Sequence, residues 1–223
     1  LRAMVKRVGG DLDVPLNVRV IDWRLQNAFA LPGGTVVLTR GLLTNADSAT
    51  EVAGVLAHEI GHVVNEHPET GLVRALGFIV AAQFIFAGGS ETIGNIGTAI
   101  VALRFNRAAE VEADGYGLAL MQQRAIDPRP LAGFFRRLTA MQTTTIRNKK
   151  RVGDSEDDKD AKPETNVQFS KSLEWLSTHP ATAGRISRIE AAPEYTTRPV
   201  LDPSQWAALR SICGAVTKKK PAE

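Results

Sequence analysis

The stretch Glu51-Val-Ala-Gly-Val-Leu-Ala-His58-Glu59-Ile-Gly-His62-Val-Val64 decides both the fold and the chemistry predicted for this chain. Four residues turn through about 400° on an α-helix, so His58 and His62 project from one face about one turn apart. Two imidazoles in that arrangement can share one tetrahedral zinc ion. Glu59 lies about 100° round the helix, where its carboxylate can take a proton from an attacking water. The stretch therefore predicts a metal site with an adjacent general base.

Two histidines leave zinc one protein ligand short. A third histidine in the metzincin pattern would follow a glycine, but Asn65 stands where that glycine belongs and His67 comes one residue too early. His67 lies either beside the site or in solvent at the helix end. The remaining solution is a carboxylate from a later helix.

A predicted helix over residues 106–124 supplies such carboxylates. Glu110 and Asp114 are four residues apart and share one face, whereas Glu112 lies about 200° away. We therefore prefer Glu110 as the third ligand. Asp114, one turn along the same face, could accept a hydrogen bond from the non-ligating nitrogen of a zinc histidine and fix its tautomer.

Patterning along the rest of the chain predicts an α+β protein. Partial period-two alternation over residues 16–23 and a β-branched run over 34–39, entered through the turn residues 31–34, predict a small N-terminal sheet. From residue 47 onward the spacing is mostly helical. The first helix is predicted to run to residue 67, where Pro68 ends it, and others are predicted over 128–141, 181–192 and 202–216.

Composition places the chain among ordinary globular proteins. It has 223 residues, 43% of them hydrophobic and 23% charged, so we expect a single domain over residues 1–223. The only cysteine, Cys213, excludes an internal disulfide and a cysteine-based zinc site. The net charge of +3 equals the three lysines at 218–220, within a basic tail over 217–223, so we expect no nucleic-acid partner.

Two segments stand apart in composition. Residues 147–164 carry six basic and six acidic side chains and predict a mobile loop. Residues 72–87 are the most apolar stretch but fall short of the ~20 residues that a spanning helix needs. The region 72–103 is thus expected to be buried or to graze a membrane. The chain begins at Leu1 rather than Met, and we expect it to be a processed or truncated piece.

The ordered motifs resemble those of the zinc metallopeptidase family of HtpX, BepA and the CAAX prenyl protease. The resemblance covers about residues 25–190 and rests on the following elements: His58-Glu59-x-x-His62, Glu110-x-Glu112-Ala-Asp114, Asn27-Ala-Phe-Ala-Leu-Pro-Gly-Gly34, Gly41-Leu-Leu43, Ser177-Thr-His179-Pro180 and Arg185-Ile186. Thermolysin-type enzymes share the first two motifs, but place them closer together. The resemblance implies a zincin-like fold of the gluzincin type, one Zn²⁺ per chain, a ligand role for Glu110, and hydrolysis of peptide bonds.

Further residues receive roles from the same resemblance. His179, which Pro180 holds extended before a helix, is expected to donate to the oxyanion or, as in BepA-like members, to cap the zinc; we prefer the first role. Arg185 either orients a site carboxylate or lies on the surface. Thr35, Val36 and Val37 resemble the edge strand along which zincins bind an extended peptide. Asn27 and Ala28 are expected to bind substrate as well.

Taken together, these residues predict a zinc metalloendopeptidase of the soluble BepA-like and Oma-like branch. Its partners would be protein or peptide substrates, with peripheral membrane contact as an open alternative. We expect a periplasmic or membrane-associated place in a bacterial cell envelope, and a role in protein quality control. The rival interpretation is a catalytically silent member that uses the same cleft to bind unfolded or membrane proteins in a chaperone-like way. An intact Glu59 argues against silence.

Overall fold

The computed structural model describes residues 1–74, 106–153 and 178–214. Its elements in chain order are α1 (Arg2–Gly9), β1 (Asn17–Ile21), β2 (Ala28–Leu31), β3 (Thr35–Thr39), α2 (Arg40–Asn45), α3 (Ala49–Val64), α4 (Arg107–Gln123), α5 (Arg129–Gly153), α6 (Ala183–Glu190) and α7 (Pro203–Arg210). Among the described residues, helices dominate and the strands lie in the N-terminal part of the chain. The predicted α+β class, mostly helical with a small sheet, is confirmed.

The sheet has three strands in the order β1-β3-β2. β1 pairs with β3 in parallel, and β2 pairs with β3 in antiparallel fashion through a turn in which Gly33 and Gly34 have φ of 80° and 77°. The prediction that Thr35–Thr39 forms an edge strand is wrong, because both sides of β3 are already hydrogen-bonded. The sequence analysis did not recognise β2 as a strand, and β2 is the edge next to α3.

Helix α3 lies at the centre of the molecule and contacts α1, α4, α5, β2 and β3. Two glycines let α3 and α4 approach closely. A Cβ on Gly61 would lie 2.5 Å from the Ala113 carbonyl oxygen, and a Cβ on Gly117 would lie 3.2 Å from the backbone of Ala57. Helices α3 and α5 and the sheet contribute large, fully buried side chains to one hydrophobic core, among them Leu38, Leu56, Ile60, Phe134 and Phe135. The face of α3 that carries Ala57 and Gly61 therefore packs directly against α4.

Several predicted boundaries differ from the observed ones. α3 ends at Val64, not at residue 67, because the chain turns through Asn65 and Glu66, whose φ is 52°. Pro68 therefore lies in a second helical segment, over residues 67–74, where a first-turn proline is tolerated. Residues 183–190 and 203–210 form shorter C-terminal helices than predicted.

Helix α5 reaches Gly153, well past the predicted end at residue 141. Residues 147–153 of the predicted mobile loop are therefore helical, which agrees with the absence of proline and the high helix propensity of Lys and Arg before Gly153. The remainder of that loop, residues 154–164, lies outside the described residues. So do the basic tail over 217–223 and most of the apolar region, residues 75–103. Among the described helices, none combines the length and apolarity needed to cross a bilayer.

Candidate metal centre

Helix α3 carries the first three site residues. Its N-terminus is capped by Ser48, whose hydroxyl accepts from the Glu51 N–H at 3.2 Å, a standard start signal for a helix. Three turns further on, His58, Glu59 and His62 are each no more than 1% exposed. His58 Nε2 and His62 Nε2 lie 3.1 Å apart, as the four-residue spacing predicts.

Helix α4 supplies the carboxylates. Asn106 caps it by accepting from the Ala109 N–H at 2.9 Å, and Glu110 follows in the first turn. Glu110 and Asp114 face α3 and are 4% exposed, whereas the side chain of Glu112 is 59% exposed on the other side. The structure thus brings Glu110 to the histidines and leaves Glu112 away from the cluster.

The donor atoms are spaced as a tetrahedral ion requires. Bonds of 2.0–2.2 Å to zinc separate neighbouring donors by about 3.4 Å. The Glu110 oxygens lie 3.5 Å from His58 Nε2 and 3.4 Å from His62 Nε2. Imidazole nitrogen and carboxylate oxygen are also donors that zinc accepts. The residues present fit a metal ion, and His58, His62, Glu110 and His179 together form a buried candidate site.

Electrostatics in the cluster keep the ligands in metal-binding form. Burial lowers the pKa of His58 and of His62 to about 4 each, although Asp114 and Glu110 act in the opposite direction. Both imidazoles are therefore neutral at physiological pH. Burial alone would raise the pKa of Glu110, but its contacts with His179 and His62 hold it well below its ordinary range. The site thus offers neutral imidazoles and an ionised carboxylate.

His58 is oriented from behind by Asp114 and Arg185. His58 Nδ1 lies 3.0 Å from Asp114 Oδ1, so Nδ1 carries the proton and Nε2 presents its lone pair to the site. Arg185, 4% exposed, donates to both Asp114 oxygens at 2.7 and 2.8 Å and lies 2.7 Å from Glu110 Oε2. Of the two readings left open for Arg185, the structure supports the one in which it orients carboxylates. Burial alone would raise the pKa of Asp114, but hydrogen bonds from His58 and Arg185 lower it below its ordinary value.

Two contacts of Arg185 had no signal in the sequence. Its guanidinium lies 4.9 Å from the centroid of the Phe135 ring, and Nη1 donates to the Pro180 carbonyl at 3.0 Å. The first contact depends on the packing of α5 against α6, and the second on the path of an irregular segment. Neither follows from local periodicity.

His179 lies inside the cluster. Its Nδ1 is 2.9 Å from Glu110 Oε1 and 3.2 Å from His58 Nε2, while Nε2 is 3.5 Å from Glu59 Oε1. Burial would lower the pKa of His179, but Glu59 and Glu110 outweigh this effect and raise it. These distances place an imidazole nitrogen where a fourth ligand would stand. The short contacts to Glu110 and His58 are those expected for the capping role, the second of the two roles considered above.

The residues predicted to bind substrate lie on two strands. Asn27 precedes β2 and Ala28 begins it; Asn27 accepts from the Thr39 N–H at 3.1 Å. Thr35, Val36 and Val37 lie in the central strand β3, so their backbone groups are taken by β1 and β2. Within the described residues, β2 rather than β3 therefore has an edge open to pairing with a further strand.

A His-Glu-x-x-His helix packed on a second helix that contributes a glutamate defines the class of gluzincin-type metallopeptidases. Comparison with known proteins agrees with that class: residues 1–192 match the model of peptidase family M48. The chain belongs to peptidase family M48.

Named relatives extend the comparison. The chain is 32% identical over 189 residues to the mitochondrial metalloendopeptidase OMA1 of Schizosaccharomyces pombe, covering 82% of this chain and 48% of that protein. It is 34% identical over 135 residues to the metalloprotease LoiP of Escherichia coli, covering 57% and 53%. It is 34% identical over 176 residues to the beta-barrel assembly-enhancing protease of Yersinia pestis, covering 72% and 31%. The chain thus spans about half or less of the length of these relatives.

Proposed function

We propose that this chain is a zinc metalloendopeptidase domain that hydrolyses peptide bonds in protein substrates. The observation that carries the proposal is a buried group of three donors, His58, His62 and Glu110, spaced for one tetrahedral ion. Glu59 faces the same cluster, with its Oε1 3.5 Å from Nε2 of His179. Membership of a metallopeptidase family and similarity to a metalloendopeptidase support the same activity. One Zn²⁺ per chain is the cofactor that this donor set favours.

The chain's own residues divide the chemistry between them. Zinc, when bound, supplies Lewis acidity that lowers the pKa of a water and polarises the scissile carbonyl. Glu59 accepts the proton of the attacking water and later returns it to the leaving amine. Asp114 holds the proton on His58 Nδ1, which keeps the ligating nitrogen available. Arg185 pairs with both buried carboxylates, Asp114 behind His58 and Glu110 within the donor cluster.

His179 sets the state of the site in this proposal. His58, Glu59, His62, Glu110 and His179 are all at most 4% exposed, so a peptide cannot reach Glu59 while His179 keeps its position. The resting site is therefore capped, and catalysis requires displacement of the segment from Thr178 to Pro180.

Strand β2 is the peptide-binding edge in this proposal. Because Asn27 accepts from Thr39, the alternation of an antiparallel ladder directs the backbone groups of Ala28 and Ala30 away from β3. The Ala28 N–H is bonded to Asn27 Oδ1 at 2.9 Å, which leaves its carbonyl and both backbone groups of Ala30 facing the edge. An extended peptide could add to β2 as a further strand alongside α3.

For location and biological role, we propose a bacterial cell envelope and protein quality control. Similarity to the beta-barrel assembly-enhancing protease and to LoiP supports this assignment, and similarity to mitochondrial OMA1 makes the mitochondrion the alternative. Contact with a membrane surface is part of the proposal. Fractionation of source cells, with immunodetection of the chain in envelope and soluble fractions, tests the location.

The decisive experiment combines elemental analysis with cleavage of casein. The purified chain should hold one zinc, and substitution of any one of His58, His62 or Glu110 by alanine should remove it. Glu59→Gln should keep zinc and fold yet abolish cleavage, because it removes the base without removing a ligand. If Glu110→Ala kept its zinc and Glu112→Ala lost it, Glu112 rather than Glu110 would be the third ligand. Cleavage by Glu59→Gln at the wild-type rate would refute the mechanism.

A chaperone-like binding module is the second candidate, and burial of the site supports it. The donor cluster is buried in this structure, so an unfolded protein that bound in the same cleft would not contact Glu59. This candidate predicts that the wild-type chain suppresses aggregation of an unfolded test protein without cutting it. It also predicts that Glu59→Gln suppresses aggregation equally well while no variant at His179 shows cleavage.

A further inference from the structure

The two ligand histidines are supported differently. His58 has a buried carboxylate directly behind it, Asp114. Behind His62 there is instead another histidine: His62 Nδ1 lies 2.9 Å from His67 Nδ1. On its other side, His67 Nε2 lies 3.1 Å from Glu112 Oε2. A chain of hydrogen bonds thus leads from His62 to a carboxylate on α4.

This contact depends on the turn that ends α3. On a continued helix His67 would lie about 140° round from His62, too far for a hydrogen bond. Instead Asn65 closes the helix, its side chain donating to the Gly61 carbonyl at 2.7 Å, and Glu66 takes a positive φ of 52°. The reversal brings the next residue, His67, back against the ring of His62.

The direction of each proton follows from the end of the chain of hydrogen bonds. A carboxylate oxygen accepts, so His67 Nε2 is the donor to Glu112. In the His67 tautomer that donates from Nε2, Nδ1 carries a lone pair, so the proton between the two rings belongs to His62 Nδ1. His62 Nε2 is left with its lone pair directed at the donor cluster, 3.1 Å from His58 Nε2.

We propose that His67 and Glu112 are positioning residues that hold His62 in the tautomer able to bind zinc. The proposal rests on the proposed zinc site and extends it by two residues that touch neither metal nor substrate. Both ligand histidines are then fixed by carboxylates of the same helix, Asp114 directly and Glu112 through His67. Outer partners of metal histidines typically change affinity 10–100-fold when they are removed.

The first test is zinc affinity measured by competition with a chelator, which does not depend on hydrolysis. His67→Phe keeps a ring but removes the acceptor, and should weaken zinc binding about 10–100-fold. His67→Asn offers Oδ1 near the position of Nδ1 and should recover most of the affinity. Glu112→Ala should weaken binding by a smaller factor, about 3–10-fold. Glu66→Ala removes another carboxylate next to the turn and is the matched control, with wild-type affinity expected.

The second test is the tautomer of His62 in zinc-free protein, determined from the ¹⁵N chemical shifts of its ring. Wild type should show the proton on Nδ1, and His67→Phe should shift the population toward the Nε2 form. A purely structural role for His67 would leave this population unchanged. Glu112 is exposed, so Glu112→Ala gives a folded protein for both tests even if His67→Phe does not fold.

The outcomes separate the two proposals. Wild-type protein that binds no zinc would overturn the proposed function. Wild type that binds zinc, with unaltered affinity and tautomer in His67→Phe and Glu112→Ala, would overturn only the positioning pair. Equal losses in Glu112→Ala and Glu66→Ala would also overturn it, because they would point to surface charge rather than to the contact with His67.

Discussion

Arg185 is the residue whose removal should disturb the site most without removing a ligand. The variant Arg185→Met keeps much of the apolar stem but deletes the guanidinium that pairs with Asp114 and Glu110, both of which are 4% exposed. Two buried carboxylates then lose their shared cation. Breaking a buried ion pair by deleting one partner costs about 3–5 kcal/mol, since the other charge stays buried and uncompensated. We expect a loss of that size in the free energy of unfolding.

Urea unfolding in the presence of a chelator measures this loss on the protein's own residues, without a metal ion to neutralise Glu110. Arg188→Met is the matched control, because Arg188 lies on the same helix, is 44% exposed and only approaches Asp114 at 4.0 Å. It should change stability by less than about 0.5 kcal/mol. The loss of stability in Arg185→Lys should lie between those of the two methionine variants, since an ammonium group cannot reproduce the paired hydrogen bonds of a planar guanidinium. A loss in Arg185→Met no larger than in Arg188→Met would refute this reasoning.

Two further predictions concern the histidines. His179→Ala should raise the basal rate on a short peptide and weaken zinc binding, because it removes the cap; a fall in turnover of about 10²-fold at unchanged zinc affinity would assign the oxyanion role instead. Chelator-treated protein should lose stability as the pH falls from about 6.5 to 4.5. In this range the histidines of the unfolded chain become protonated, whereas His58 and His62 in the folded protein, with pKa values of about 4, stay neutral. The raised pKa of His179 makes stability depend on pH only above this range, and the lowered pKa values of Glu110 and Asp114 do so only below it. Each of the two histidines contributes about 2 kcal/mol over this pH range, and a urea midpoint that does not change across it would contradict their burial as neutral rings.

Much of the site followed from spacing within single helices. The four-residue interval between His58 and His62 fixes their common face, and the interval between Glu110 and Asp114 does the same on the second helix. Preference for Glu110 over Glu112 needed only the angle per residue. These predictions depend only on the geometry within one helix, which follows from residue spacing. The way in which α3 and α4 pack together does not follow from that spacing, because it depends on contacts of Gly61 and Gly117 between the helices.

The features that were wrong or missed depend on longer-range structure. β3 is central because β1, an earlier strand that is not its direct neighbour in the chain, pairs with its other side, and no pattern within Thr35–Thr39 specifies that neighbour. The turn at Glu66 uses a positive φ that only a few per cent of non-glycine residues adopt. The burial of His179 next to Glu110 likewise joins residues 69 positions apart. Such pairings are set by the packing of the whole domain.

Helix α4 links these observations. Its run Glu110-Val-Glu112-Ala-Asp114 places carboxylates on two faces, and each one serves an imidazole: Glu110 within the donor cluster, Asp114 behind His58, and Glu112 through His67. α3 therefore supplies the ligand nitrogens and α4 supplies the charges that set their protonation. A slip of α4 by one turn, about 5.4 Å, would break all three relations at once. The close contacts of Gly61 and Gly117 thus fix the position of α4 along α3. A larger side chain at either glycine should therefore weaken zinc binding as well as packing.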